Sequence, residues 1–193
     1  MRVVRLTCAA AAVAAVLTAC TGKAAVVNGP QADSPGYITG DRTVQVYSAD
    51  RRVPAPNIEG ASLDGAVTNI REFAGHVVVL NFWASWCAPC RTEQANLNRV
   101  YAATQAKGVK FLGVNFNDDD TSARAFIRTH DVSYSSIVDE PGSIALEFNP
   151  RLPATPPTTV IIDRQGRVAA KILGPAKPGV LQPLVEQFAA ETS

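Results

Sequence analysis

Val77-Val78-Val79-Leu80-Asn81-Phe82-Trp83 is almost continuously apolar and β-branched, and within three residues it runs into Trp86-Cys87-Ala88-Pro89-Cys90. A run with no polar alternation is the pattern of a strand buried on both faces of a sheet. Such a strand needs a covering layer on each side. A helix is expected to begin at about Cys87. Leu97, Val100, Tyr101 and Thr104 follow at i, i+3, i+4 and i+7 along it, and Gly108 stops it.

The remaining elements alternate in type. Asp64-Gly65 sits between two weakly apolar stretches and reads as a hairpin turn. Residues 109–116 read as a second buried strand. Ala123, Phe126, Ile127 and His130 line one face of a helix capped by Asp119 or Asp120. A short strand near 136–138 and a short helix near 143–148 come next. Residues 158–163 and 167–173 read as strands joined by a turn holding Gly166. Leu181, Leu184, Val185 and Phe188 form the inner face of a final helix. This order implies an α/β fold with a mixed sheet covered on both faces.

The N-terminus has a different character. Arg2 and Arg5 precede an apolar run from Leu6 to Leu17 that is short for a membrane span and reads as a secretory signal. The run ends in Leu17-Thr18-Ala19-Cys20, which resembles the lipobox of bacterial lipoproteins. That resemblance implies cleavage before Cys20, lipid on Cys20, and a chain held on the outer face of a membrane. Residues 20–52 are rich in Gly, Ser, Asp and Pro and read as a tether. Within it, residues 43–47 alternate and read as a short edge strand. The expected organisation is therefore a leader over 1–19, a tether over 20–52 and a domain over 53–193. Net charge is only +1, with no basic block, which argues against nucleic-acid binding.

Four cysteines are present. Cys8 leaves with the leader and a lipidated Cys20 is a thioether, so Cys87 and Cys90 are each other's only partners. Their position matters. Cys87 falls where a helix presents unpaired N–H groups and its positive end, which favours the thiolate, the nucleophilic form. Cys90, one turn on and more buried, is placed to attack a mixed disulfide. Pro89 has no N–H to lose in a first turn. Zinc is a poor alternative, because only His76 and His130 add to the two sulfurs. A static bridge closing so short a loop stabilises little. Asp118-Asp119-Asp120 lacks the glycine and glutamate of a calcium loop and reads as a capping, solvated run. His130 reads as a helix-end or core histidine, and His76 has no visible partner.

The segment from Val77 to Cys90, together with Pro157-Thr158-Thr159-Val160-Ile161-Ile162-Asp163-Arg164-Gln165-Gly166-Arg167, resembles the TlpA/ResA branch of the thioredoxin superfamily. The likeness runs from about Val53 to the end. It implies a thioredoxin-like three-layer fold with a mixed central sheet, an added N-terminal β-hairpin and a helix/strand insertion. It also implies a cofactor-free thiol–disulfide oxidoreductase outside the cytoplasm. Its partners would be thiols and disulfides of exported proteins, apocytochrome c among them, and a transmembrane electron donor; the chain itself is expected to be a monomer.

Further positions carry over by that resemblance. Pro157 matches a cis-proline that receives the substrate backbone. Trp86 matches a flat cover beside the nucleophile. Glu93 matches a glutamate that handles protons near the cysteines. The departures are informative too. Asn81 stands where cytoplasmic thioredoxins bury an aspartate. Ala88 replaces a charged residue some relatives carry between the cysteines. Pro156 removes an N–H beside the substrate site. Three other functions share features of this pattern: a disulfide oxidase, which uses the same residues; a peroxidase of the same fold, which needs no Cys-x-x-Cys; and a copper carrier, whose relatives space the cysteines one residue wider and add a distal histidine.

Overall fold

The computed structural model describes residues 37–38, 43–148 and 155–191. The leader, Cys20 and most of the tether lie outside them. Among the described residues, nine strands and four α-helices follow in order. They are β1 (Tyr37–Ile38), β2 (Val44–Val46), β3 (Glu59–Ala61), β4 (Val67–Asn69), β5 (Val77–Trp83), α1 (Ala88–Thr104), β6 (Val109–Phe116), α2 (Asp120–Thr129), β7 (Ser136–Asp139), α3 (Ser143–Glu147), β8 (Thr158–Ile162), β9 (Val168–Leu173) and α4 (Pro178–Ala190).

Seven strands form one sheet in the order β1-β2-β9-β8-β5-β6-β7. Strands β5, β6 and β7 run parallel, and β8 runs antiparallel to β5. All seven residues of β5 are buried, as its uninterrupted apolar run requires. Its side chains alternate between two layers. Val77 and Val79 pack with Leu97 and Val100 of α1 and with Leu181, Val185 and Phe188 of α4. Val78, Leu80 and Phe82 pack on the other face with Ile58, Ile144 and Phe148. Trp83 ends the strand in a smaller cluster with Cys87, Cys90 and Phe126, and its ring stacks on Phe126 at 4.5 Å. The indole N–H donates to Ser136 Oγ across Gly113, where any Cβ would collide with both side chains.

The hairpin forms as expected: β3 and β4 pair antiparallel around a turn in which Gly65 has φ +94°. It packs on the β7 edge, where Leu63 N–H donates to Ser136 O. Strand β2 is not an edge. It pairs with β9 on one side and β1 on the other. The alternation at 43–47 was legible, but the second partner was not. The folded unit also takes in residues ahead of Val53. The Arg52 side chain is buried between Asp163 at 3.1 Å and Glu191 at 2.5 Å, with the Phe188 ring 4.9 Å from its guanidinium carbon. His76 has a partner after all, the Gly108 carbonyl 2.8 Å from its Nδ1.

Candidate active site

The C-terminal ends of β5 and β6 and the N-terminus of α1 meet at one end of the sheet. Cys87 is the N-cap of α1, with an extended backbone, and Pro89 follows in the first turn. The Cys87 sulfur accepts the Cys90 backbone N–H at 3.2 Å. The two cysteines form a disulfide with their Cα atoms 5.3 Å apart. Both are buried, Cys87 at 4% exposure and Cys90 at 1%. When the bridge is reduced, the same N–H and the helix dipole favour a thiolate at position 87.

Glu93 lies one turn beyond Cys90 on the inner face of α1 and is 1% exposed. A surface carboxylate would be the ordinary outcome for a glutamate. Here Oε1 accepts from Asn81 Nδ2 at 3.0 Å, and Oε2 accepts from the Ala176 backbone N–H at 2.7 Å. Burial pushes the Glu93 carboxyl up to about 7, although the Ala176 N–H and the Asn81 amide pull the other way. Asn81 also donates to Thr159 Oγ1 at 3.1 Å, while its own Oδ1 has no partner among the described residues. The position where a thioredoxin buries an aspartate thus bonds directly to a carboxylate supplied by the helix.

The loop from Gly174 to Lys177 joins this group to the proline segment. Gly174 N–H donates to Pro157 O at 2.9 Å. The Pro156–Pro157 peptide bond is cis. Pro157 is buried and Pro156 half-buried. Thr158 pairs with Phe82, which puts both prolines at the cysteine end of β5. Trp86 is 55% exposed, and its Nε1–H donates to Asn117 O at 2.9 Å.

The three consecutive aspartates separate into different tasks. Asp119 caps α2 by accepting from Ser122 N–H, and Asp120 pairs with Arg124 at 3.5 Å. Asp118 is no mere part of a solvated run. Its carboxylate accepts from Ser85 N–H at 2.6 Å and Ser85 Oγ at 2.7 Å. Asn115 Nδ2 and the Asp119 N–H also donate to it. Arg91 donates to the Ser85 carbonyl at 2.7 Å. Sequence reasoning missed this clamp because Ser85 and Asp118 are 33 positions apart. The available signal was an acidic residue just past a buried strand, beside a buried asparagine that needs partners.

A family model described as the AhpC/TSA family matches residues 52–171. The chain is similar to the thiol-disulfide oxidoreductase ResA of Bacillus thuringiensis, 29% identical over 139 residues, covering 72% of this chain and 76% of that one. It is 30% identical over 146 residues to the thiol:disulfide interchange protein HelX of Rhodobacter capsulatus, covering 75% and 79% of the two chains. Among solved structures, a secreted thiol-disulfide isomerase from Corynebacterium glutamicum aligns with a TM-score of 0.70 at 31% identity, covering 79% of this chain and 97% of that one.

The raised carboxyl of Glu93 has a consequence for stability. The folded protein binds this proton more tightly than the unfolded chain. Its contribution is therefore most favourable below about pH 4.5 and is lost as pH rises through about 7. A shift from 4.5 to about 7 corresponds to a loss of roughly 3 kcal/mol across that window. Glu93→Gln, which keeps an acceptor for Ala176 and can donate to Asn81 Oδ1 once the Asn81 amide turns over, should flatten the decline. Urea unfolding from pH 4 to 8 measures it; parallel curves for mutant and parent would contradict the assignment.

Proposed function

This chain belongs to the AhpC/TSA family and is a thioredoxin-fold thiol–disulfide oxidoreductase, and from that premise we propose that it works as a reductant of disulfides in exported proteins. The reading rests most on one observation: the buried Glu93 carboxyl lies one turn beyond Cys90, where its charge opposes a thiolate at the cysteine pair rather than holding one. The thiolate at Cys87 attacks one sulfur of the partner's disulfide. That bond breaks, a mixed disulfide forms, and the departing thiolate takes a proton. Cys90 then gives up its proton and attacks the Cys87 sulfur. The Cys87–Cys90 disulfide forms and the partner leaves as a dithiol. Two electrons and two protons pass to the partner, one proton from Cys90 and one from solvent in place of that lost when Cys87 ionised, and an external dithiol donor must restore the pair.

In this reading Glu93 takes and returns the Cys90 proton. A carboxyl that titrates near neutrality suits that task, since it is neither a permanent anion nor a permanent acid. Trp86 offers the partner an apolar face beside Cys87, and Pro156 and Pro157 line the path of its backbone. Pro156 contributes only a carbonyl there, because it has no N–H.

The direction of electron flow follows from what stabilises the thiolate. Strong oxidants of this fold stabilise their reduced form by holding the thiolate. Ala88 and Pro89 offer it no charge and no imidazole. Arg91, the nearest cation in sequence, is committed to the Ser85 carbonyl and exposed to screening solvent. An ionised Glu93 opposes a second negative charge. Only the α1 N-terminus and the Cys90 N–H favour the thiolate, with no added charge, so the dithiol form gains less than in a strong oxidant and the dithiol is the better donor.

The expected setting is outside the cytoplasm. The similarity to a protein described as secreted supports it, as does the leader-like run before Cys20. Lipid on Cys20 and a membrane-spanning electron donor belong to the same proposal; the anchoring rests on Leu17-Thr18-Ala19-Cys20 alone. Apocytochrome c is a fitting partner, because its paired cysteines must be thiols before haem is attached.

Two measurements test this reading. Equilibration in dithiol–disulfide buffers should give a potential near thioredoxin's, about −270 mV. A value more positive than about −180 mV, the level of a disulfide isomerase, would make the protein an oxidase. On non-reducing gels Cys90→Ser should accumulate mixed disulfides with partner proteins. Accumulation by Cys87→Ser alone would reverse the two cysteine roles.

A further inference from the structure

The two residues ahead of Cys87 are both tied to the loop between β6 and α2. Ser85 gives its N–H and its hydroxyl to Asp118, and Trp86 gives its indole N–H to Asn117 O. Asn117 has a left-handed backbone, φ +44°, and its own N–H donates to Asp139 O. Asp139 in turn accepts the Ile144 and Ala145 N–H groups at the start of α3. Among the described residues the Asp118 carboxylate accepts four hydrogen bonds, from Ser85 twice, Asn115 and Asp119. Asn115, which orients it, is fully buried.

More than half of the Trp86 surface is exposed. An exposed indole costs entropy to fix when a partner docks on it, and a side chain held in place beforehand avoids that cost. Its single hydrogen bond to Asn117 holds only if the backbone at 85–86 stays in register with the loop. Asp118, through the Ser85 N–H and hydroxyl, holds this register together with Arg91 on the Ser85 carbonyl.

We propose that Asp118 is a positioning residue for partner recognition: by clamping Ser85 it fixes the Trp86 indole as a preformed docking face beside Cys87. The proposal rests on the dithiol–disulfide reading of Cys87 and Cys90 and adds the means by which protein partners are told from small disulfides. A small disulfide needs only access to the sulfur. A folded or extended protein partner must also lie against Trp86.

The test compares two rates for the reduced full chain, one with insulin and one with a small aromatic disulfide. Asp118→Ala and Trp86→Ala should each lower the ratio of the insulin rate to the small-disulfide rate by about tenfold, the scale of one lost aromatic anchor. The double variant should lower it no further than either single change, because both remove the same contact. Asp118→Asn keeps one oxygen for Ser85 and should fall between parent and Asp118→Ala; it stands in if the alanine variant does not fold. A loss that only slows both rates together is what a general structural role produces, and it would overturn the proposal. Multiplied effects in the double variant would do the same. A parent inert toward both disulfides would instead sink the redox reading, and the proposal with it.

Discussion

Strand β5 has no side that faces water: its seven residues are all buried, between two helices on one face and the hairpin region and α3 on the other. Chemistry on such a strand is confined to its end. The chain leaves β5 at Trp83, crosses two residues and starts α1 with Cys87 at the cap. That geometry gives the first sulfur a helix N-terminus and gives the second a dry pocket of Trp83, Ala84 and Phe126. The neighbouring strands deliver the rest. Strand β6 ends in the loop that holds Ser85 and Trp86, and β8 begins at the two prolines.

The one polar side chain within β5, Asn81, is what makes the interior more than a packed layer. A buried amide must find partners, and this one finds Glu93 on α1 and Thr159 on β8. Removing a carboxylate from water is costly, and the cost appears as a carboxyl that holds its proton to near neutral pH. The second Glu93 oxygen reaches Ala176, two residues past the glycine that bonds Pro157. Glu93 is thereby tied to β5, to β8 through Asn81, and to the loop whose Gly174 meets Pro157.

Much of this was legible from spacing. The uninterrupted run at 77–83, the stripe of Leu97, Val100 and Thr104, and the Asp64-Gly65 turn each reappear as the expected element, because local pattern alone determines them. The position of Cys87 at a helix start was legible for the same reason. Contacts between distant segments were not. The resemblance singles out Glu93, but its burial and its bond from the Ala176 N–H, 83 positions away, were not legible. Asp118 reads as solvated until Ser85 is seen beside it. Arg52 reads as the end of a tether until Asp163 and Glu191 enclose it. In each case the polar group's partner lies on another element, and only the assembled sheet brings the two together.

The central claim is that a buried carboxyl and the cysteine pair exchange influence through one proton-sensitive centre. Carbon-13 NMR of the Glu93 carboxyl, followed through pH in the disulfide and dithiol forms, tests it most directly. The account predicts a midpoint near 7 in the disulfide form. It also predicts a higher midpoint after reduction, because a thiolate at Cys87 disfavours a second negative charge nearby. A midpoint near 4.5, unchanged between the two forms, would contradict it.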